Sequence, residues 1–318
     1  MSRQAPDHAL GAHGATTGTR LGQGGQTTSP EQILRRLDWT VIRRLDGLLQ
    51  GDYRTLFQGF GLDLADLREY QPGDDVRAID WNVTARMNHP FIKKFVEERE
   101  LTVMLIVDLS GSGLFGSVSQ SKRELAAELA SVLAFSAIRN NDKVGLILFT
   151  DGVEKFIPPR KGRRHVLRVI REILFFEPER RGTNLNIALE FLLRVTPHRA
   201  VAVVLSDFLG QNALVRLRQA NRRHDVVAVQ IMDRYELELP ALGRLILRDA
   251  ETGEVLEVNT GDARKRAVFA ERRTREQAEL ERTFRSAGID AIQLQTDQPY
   301  SVALGRFFEM REKRRRRG

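Results

Sequence analysis

The sequence of 318 residues contains no cysteine. This absence excludes a disulfide framework, thiolate-bound zinc or iron–sulfur clusters, and a cysteine nucleophile. Apolar runs are short: none approaches the roughly 18 to 20 residues that cross a bilayer, and the longest is Leu101–Val107. The N-terminus also lacks the apolar region of a signal peptide. We therefore expect a cytoplasmic protein without a membrane span.

An excess of charge is also lacking outside the C-terminus. The net charge is +8, but residues 311–318 contribute +5 of it, so the rest of the chain is nearly balanced. The basic cluster at residues 160–164 has no interleaved aromatic residues on which bases could stack. We therefore expect no nucleic-acid binding, and we interpret residues 311–318 as a basic tail.

The chain divides into four parts by composition, of which the basic tail at residues 311–318 is the last. Residues 1–29 are rich in Gly, Thr, Gln and Ala, and with few large apolar side chains they are expected to form a disordered tail. Residues 30–98 begin with a helix, since proline follows Ser29, and continue as an irregular segment. Residues 99–310 carry the main domain.

Strands and helices alternate through that domain. Short apolar runs predict buried strands, and a capping-box pattern at Ser121–Glu124 predicts a helix start. The alternation predicts a doubly wound, mostly parallel α/β sheet, with a hairpin near residues 243–259. The strands are predicted at Leu101–Val107, Val144–Phe149, Ala200–Leu205, Val226–Met232 and Ile289–Leu294.

A glycine-rich loop follows the first of these strands. Gly111, Gly113 and Gly116 match the G-x-G-x-x-G pattern of dinucleotide sites. However, the strand ends in Asp108, and the next strand ends about 40 residues later, not at the roughly 20 that a ribose-binding acid requires. We therefore disfavour a nucleotide site.

The same loop supplies oxygen ligands. Asp108, Ser110 and Ser112 alternate as the chain leaves the strand, so their side chains can face one crevice. Thr183 lies in a turn before a helix, and Asp207 ends another buried strand. Each alone can be a helix cap or a turn former. Together, at strand ends, the five predict a site for Mg²⁺ or Mn²⁺, which prefer hard oxygen ligands.

This pattern resembles the metal-ion-dependent adhesion site of von Willebrand factor A domains. The segment Arg68-Glu-Tyr-Gln-Pro-Gly-Asp-Asp-Val-Arg-Ala-Ile-Asp-Trp81 further resembles the signature of the bacterial family called domain of unknown function 58. The resemblance covers about residues 51–311. It departs at Gly113, where many such domains carry methionine, a side chain that is not a ligand.

The resemblance implies a non-enzymatic protein-binding module. By analogy, Ser110 and Ser112 would touch the cation, Thr183 would bind directly or through water, and Asp108 and Asp207 would act partly through waters. An open position would accept a carboxylate from a partner. Such proteins are commonly encoded beside MoxR-type AAA+ ATPases, so the resemblance implies this ATPase or a client protein as partner, in a chaperone-like role in assembly or metal loading.

Two catalytic alternatives accompany this interpretation. A metal-dependent phosphohydrolase would use the same oxygens, but Ser110 stands where such enzymes usually place a second acid. A Ser-His-Asp hydrolase needs a positioned histidine, whereas all histidines after residue 29 have charged, surface-like contexts and are expected to be solvated: His89, His165, His198 and His224.

The segment Gln71–Arg86 also has two interpretations. It is expected to be a turn anchored by Trp81 on the core and braced by ion pairs, or else a docking surface for the ATPase. The charged residues of these ion pairs would be Asp74, Asp75 and Asp80 with Arg68, Arg77 and Arg86.

Overall fold

The computed structural model describes the chain from the irregular segment to the last helix. The predicted tail at residues 1–29, the helix from Pro30 and the acidic residues Asp74, Asp75 and Asp80 lie outside the described residues. The described residues are 67–71, 76, 79, 81–87, 89–93, 100–117, 120–210, 212–251 and 253–315.

A six-stranded sheet forms the centre of the molecule. Its strands are β3 (Thr102–Asp108), β4 (Lys143–Phe149), β5 (Val153–Arg160), β6 (Val201–Ser206), β7 (Asp225–Met232) and β10 (Asp290–Gln295). Its strand order is β10-β7-β6-β3-β4-β5, and every neighbouring pair is parallel except β4 with β5. The doubly wound, mostly parallel α/β fold is thus confirmed.

Helices cover both faces of this sheet, because the central strands are apolar on both sides. Along β3, Val103, Leu105 and Val107 face one core, while Met104 and Ile106 face the other. The first core is covered by α2 (Lys122–Arg139), α3 (Arg163–Phe175) and α8 (Tyr300–Arg315). The second is covered by α4 (Leu185–Val195), α5 (Leu214–Arg223) and α7 (Ala263–Ala287).

Local sequence signals set several helix ends. The predicted capping box at Ser121 and Glu124 is present at the start of α2. Asp262 caps α7 by accepting from two backbone amides, and Gly288 ends it with a φ of 67°, in the left-handed region that glycine favours. A second capping box, formed by Asp233 and Glu236, opens the short helix α6 (Arg234–Leu237).

Smaller elements surround the sheet. The predicted hairpin consists of β8 (Arg244–Arg248) and β9 (Val255–Asn259), and its exposed side chains include Ile246 and Leu256. Near the N-terminal end of the described chain, β1 (Leu67–Glu69) pairs with β2 (Phe91–Lys93), and α1 (Trp81–Met87) lies between them in sequence. Among the helices of the described segments, none is long and apolar enough to cross a membrane.

The C-terminal helix extends beyond the boundary that we predicted for a basic tail. Arg311 lies within α8, and its guanidinium donates two hydrogen bonds to Asp225 and one to Asp290. These carboxylates begin the neighbouring strands β7 and β10. Because three buried or half-buried charged groups converge here, Arg311 fixes α8 to the sheet and is part of the folded domain.

Two expectations about ring side chains are wrong. His224 is fully buried, not solvated, because it forms the tight connection between the end of α5 and the inner strand β7. Its ring nitrogens have no hydrogen-bond partner in the described structure, and burial lowers its pKa to about 4. Trp81, expected as an anchor on the core, is 68% exposed at the start of α1. His165 is half-buried, with its Nε2 2.8 Å from the Val144 carbonyl oxygen.

Candidate metal and partner-binding site

The candidate site lies at the carboxyl ends of two adjacent central strands. Asp108 is the last residue of β3, and Asp207 directly follows β6. The chain continues from β3 to β4 on one side, whereas β6 lies on the other, so strand order reverses between β3 and β6. In open α/β sheets, such a switch point forms a crevice that commonly binds ligands.

Asp108 is held by two donors inside this crevice. Its Oδ1 accepts from the Ser110 amide at 2.9 Å, and its Oδ2 accepts from the Ser206 hydroxyl at 2.7 Å. Burial, followed by the negative charge of Asp207, raises the pKa of Asp108 to about 6. The hydrogen bonds that Asp108 accepts are therefore too weak to offset its burial and its repulsion by Asp207.

Two hydroxyl groups connect the loop after β3 to the second carboxylate. The Ser110 and Ser112 hydroxyl oxygens are 3.0 Å apart, and the Ser112 hydroxyl donates to Asp207 Oδ2 at 2.8 Å. The other oxygen of Asp207 accepts from the Leu209 amide at 3.1 Å. Four of the five predicted residues are thus brought together as one oxygen-rich cluster.

Thr183, the fifth predicted residue, lies on an adjoining loop. Its hydroxyl donates to Glu251 Oε1 at 2.7 Å, and Glu251 belongs to the tip of the β8–β9 hairpin. The loops meet at Gly111, whose amide donates to the Arg181 carbonyl at 3.1 Å. A Cβ atom on Gly111 would lie 2.4 Å from the Ala250 carbonyl oxygen, so only glycine allows the hairpin tip to approach this closely.

Sequence reasoning missed Lys122, a buried cation within the cluster. Its ammonium nitrogen lies 2.8 Å from Asp207 Oδ2 and 2.6 Å from Glu236 Oε1, and its side chain is only 4% exposed. Burial opposes the charge, but the two carboxylates outweigh it and raise the pKa of Lys122. Lys122 in turn outweighs the burial of Asp207 and lowers that pKa. A lysine at the first position of a predicted helix gives no signal of this role.

A small cavity of about 20 Å³ lies against these groups. This volume is about that of one water molecule or small ion. Asp108, Ser110, Ser112, Lys122 and Asp207 all line it. Among the described residues, no three acidic or histidine side chains form a metal-binding group, so hydroxyls would have to complete the ligand set. Two carboxylates and two hydroxyls fit Mg²⁺ or Mn²⁺, which bind through oxygen and retain waters.

Relatives of the chain are found in several bacteria. It is 36% identical over 283 residues to an uncharacterized protein of Mycobacterium tuberculosis, and the aligned region covers 88% of this chain and 89% of that protein. It is 28% identical over 151 residues to the uncharacterized protein YeaD of Bacillus subtilis, which covers 47% of this chain and 35% of that one.

Solved structures align with lower identity. BatB of Bacteroides thetaiotaomicron is 18% identical with a TM-score of 0.42, over 67% of this chain and 99% of that chain. A von Willebrand factor type A protein of Catenulispora acidiphila is 14% identical with a TM-score of 0.38, over 67% of this chain and 42% of that chain. The fold assignment rests on the strand order of the chain's own sheet.

The family described as "Protein of unknown function DUF58" matches residues 66–279. This match includes the whole signature segment, the loop after β3, the loop before α4, the end of β6 and the hairpin. The chain belongs to the DUF58 family.

Proposed function

We propose that the chain is a cytoplasmic, non-enzymatic module that binds Mg²⁺ or Mn²⁺ and uses the ion to hold an acidic side chain of a partner protein. The partner is a MoxR-type AAA+ ATPase or a client that both proteins assemble. One observation carries the proposal: Asp108, Ser110, Ser112 and Asp207 converge on a cavity of ionic size.

The charges of the site support a role in binding an external carboxylate. Two carboxylates and neutral hydroxyls leave a divalent ion with unfilled coordination and some positive character. Mg²⁺ gives up its waters reluctantly, so the site binds the ion weakly alone and more strongly once an external carboxylate replaces one of these waters. In support, the hydroxyl of Thr183 already donates a hydrogen bond to a carboxylate, that of Glu251.

The exposed surroundings of the site support a protein partner. Leu114 and Phe115 are 69% and 44% exposed in the turn that directly follows the loop after β3. These two adjacent side chains would give a partner a small apolar contact beside the polar site. A partner would therefore present an acidic residue flanked by apolar residues.

Titration calorimetry with Mn²⁺ on the full chain tests the metal site. Ser112→Ala removes a hydroxyl ligand but keeps the Lys122–Asp207 ion pair, so it should weaken Mn²⁺ binding by roughly tenfold while the protein stays folded. Ser131→Ala is the matched control, since its hydroxyl bonds within α2 to the Ala127 carbonyl. Equal Mn²⁺ affinity in wild type and Ser112→Ala would refute the site.

A pulldown with the ATPase tests the partner. Capture should be lost in excess chelator and recovered with Mg²⁺ or Mn²⁺, because metal affinity and partner affinity raise one another by the same factor. Thr183→Ala should weaken capture without unfolding the protein. If capture is equally strong in chelator, the partner docks elsewhere, and the exposed Trp81 on α1 marks the next surface to test.

Phosphoester hydrolysis is the alternative function. The raised pKa of Asp108, about 6, is the observation in its favour, since a carboxyl group that titrates near neutrality can transfer protons. Turnover of a generic aryl phosphate by the purified protein with Mg²⁺, abolished by Asp108→Asn, would establish this activity. Absence of turnover in a protein that binds Mn²⁺ favours the binding module.

A further inference from the structure

The least expected feature of the site is its own cation. Lys122 is buried, and its ammonium group bridges Asp207 of the oxygen cluster and Glu236 of α6. We propose that Lys122 competes with the divalent ion, so that metal binding requires the ammonium to leave Asp207 and remain on Glu236 alone. This inference rests on the proposed function and concerns how the same site is regulated.

Competition follows from shared atoms. Asp207 Oδ2 accepts both the Ser112 hydroxyl and the Lys122 ammonium, each at 2.8 Å. Lys122 also lines the same small cavity as the two serines. A divalent ion bound to these oxygens would lie within a few ångströms of the ammonium. Like charges repel strongly at that distance in a site screened from water, so the two cations cannot both hold Asp207.

Glu236 gives the displaced ammonium a second place to rest. Its Oε1 accepts from Lys122 at 2.6 Å, while its Oε2 accepts from the Asp233 amide at 3.0 Å in the capping box of α6. Glu236 is therefore fixed by local structure that does not depend on the oxygen cluster. Because this carboxylate stays in place, Lys122 can leave Asp207 without becoming an unpaired buried charge, which would be very costly.

The site thus has two arrangements of its charges. In one, the ammonium neutralises Asp207 and the divalent ion is disfavoured. In the other, the ion holds the oxygens and the ammonium is paired with Glu236. A ligand shifts such an equilibrium by its difference in affinity for the two states. A partner carboxylate that binds the ion would therefore favour release of Lys122 from Asp207.

Calorimetry with Mn²⁺ on the full chain separates these cations. Lys122→Met removes the charge and keeps the length of the side chain, and it should tighten Mn²⁺ binding by at least about tenfold. The matched control is Lys143→Met, because Lys143 also pairs with a carboxylate, Glu100 at 2.8 Å, but on the surface. The control should bind Mn²⁺ as the wild type does. Thermal unfolding followed by circular dichroism verifies that each variant is folded.

A second variant keeps the inference testable if Lys122→Met does not fold. Glu236→Gln removes the resting place of the ammonium but leaves Lys122 on Asp207, so Mn²⁺ affinity should fall by roughly threefold or more. Nuclear magnetic resonance of the lysine ammonium groups gives an independent readout. The Lys122 signal, assigned by its loss in Lys122→Met, should shift on addition of diamagnetic Mg²⁺.

The outcomes distinguish this inference from the proposed function. The competition is overturned if Lys122→Met binds Mn²⁺ with the affinity of the wild type. If Lys122→Met does not fold, unchanged affinity in Glu236→Gln overturns it instead. In either case the metal site itself is upheld if the wild type binds Mn²⁺ and Ser112→Ala binds it more weakly. Binding by Lys122→Met but not by the wild type supports the competition and contradicts a metal-dependent function. Binding by neither overturns both.

Discussion

Asp108→Asn is expected to stabilise the metal-free protein at pH 7, although it removes a functional group. Burial and the charge of Asp207 raise the pKa of Asp108 from 3.8 to about 6. A carboxyl group with a raised pKa binds its proton more tightly in the folded state than in the unfolded state. This tighter binding stabilises the fold fully only below pH 3.8, the pKa of the unfolded state. That contribution is lost as the pH rises through about 6. Asparagine stays neutral at every pH and avoids this loss.

The size of the effect follows from the shift. A change from 3.8 to about 6 corresponds to about 3 kcal/mol at roughly 1.4 kcal/mol per pH unit. Asparagine accepts with only one oxygen, so it cannot reproduce both bonds, from the Ser110 amide and the Ser206 hydroxyl. Losing one of them costs about 1 kcal/mol. Because Asp108 keeps some contact with solvent, we expect a net gain of about 1 to 2 kcal/mol.

Urea unfolding in excess chelator, followed by circular dichroism, measures this gain. Asp108→Asn should be more stable than the wild type at pH 7, and the advantage should disappear at pH 4. Asp151→Asn is the control, because Asp151 is an exposed carboxylate just after β4. A variant that is less stable than the wild type at pH 7, or equally advantaged at both pH values, would refute the electrostatic reasoning.

Three further contacts give predictions that urea unfolding or hydrogen exchange can check. Arg311→Met should lower the free energy of unfolding by about 3 kcal/mol, because two carboxylates lose their shared buried partner, whereas the surface variant Lys313→Met should change it by less than about 0.5 kcal/mol. Since burial lowers the pKa of His224 from 6.5 to about 4, the wild type should lose about 2 kcal/mol as the pH falls to about 5, and His224→Leu should remove that loss. Gly111→Ala should push away the Ala250 carbonyl and speed backbone hydrogen exchange at the hairpin tip. The role of Arg311 would be contradicted by unchanged stability of Arg311→Met. The burial of His224 would be contradicted by an undiminished pH dependence in His224→Leu, and the close approach at Gly111 by a wild-type exchange rate in Gly111→Ala.

Local patterns were sufficient to predict the framework of the site. The apolar run that forms β3 predicts a strand buried on both faces, and Ser121 with Glu124 predicts the start of α2. Both signals act over a few residues, through side-chain burial and backbone capping, so they can be recognised in a short stretch of sequence. The convergence of Asp108 and Asp207 followed from the rule that parallel strands end at the same edge.

Contacts between distant segments could not be predicted in the same way. Lys122 meets Asp207 and Glu236 across 85 and 114 residues, and Thr183 meets Glu251 across 68. A lysine in the first turn of a helix is usually solvated. This one is buried against the segments that follow β6 and β7, through Asp207 and Glu236.

Two capping boxes link the short-range signals in the sequence to the contacts between distant segments. The box at Ser121 fixes the first turn of α2, and therefore the backbone from which Lys122 extends. The box at Asp233 holds one oxygen of Glu236 and leaves the other for the ammonium. Asp233 is itself held by the Ser117 amide and the Thr296 hydroxyl, which lie in the loop before α2 and just after β10. The same short-range bonds that begin the two helices therefore set the distance between the buried cation and its two carboxylates.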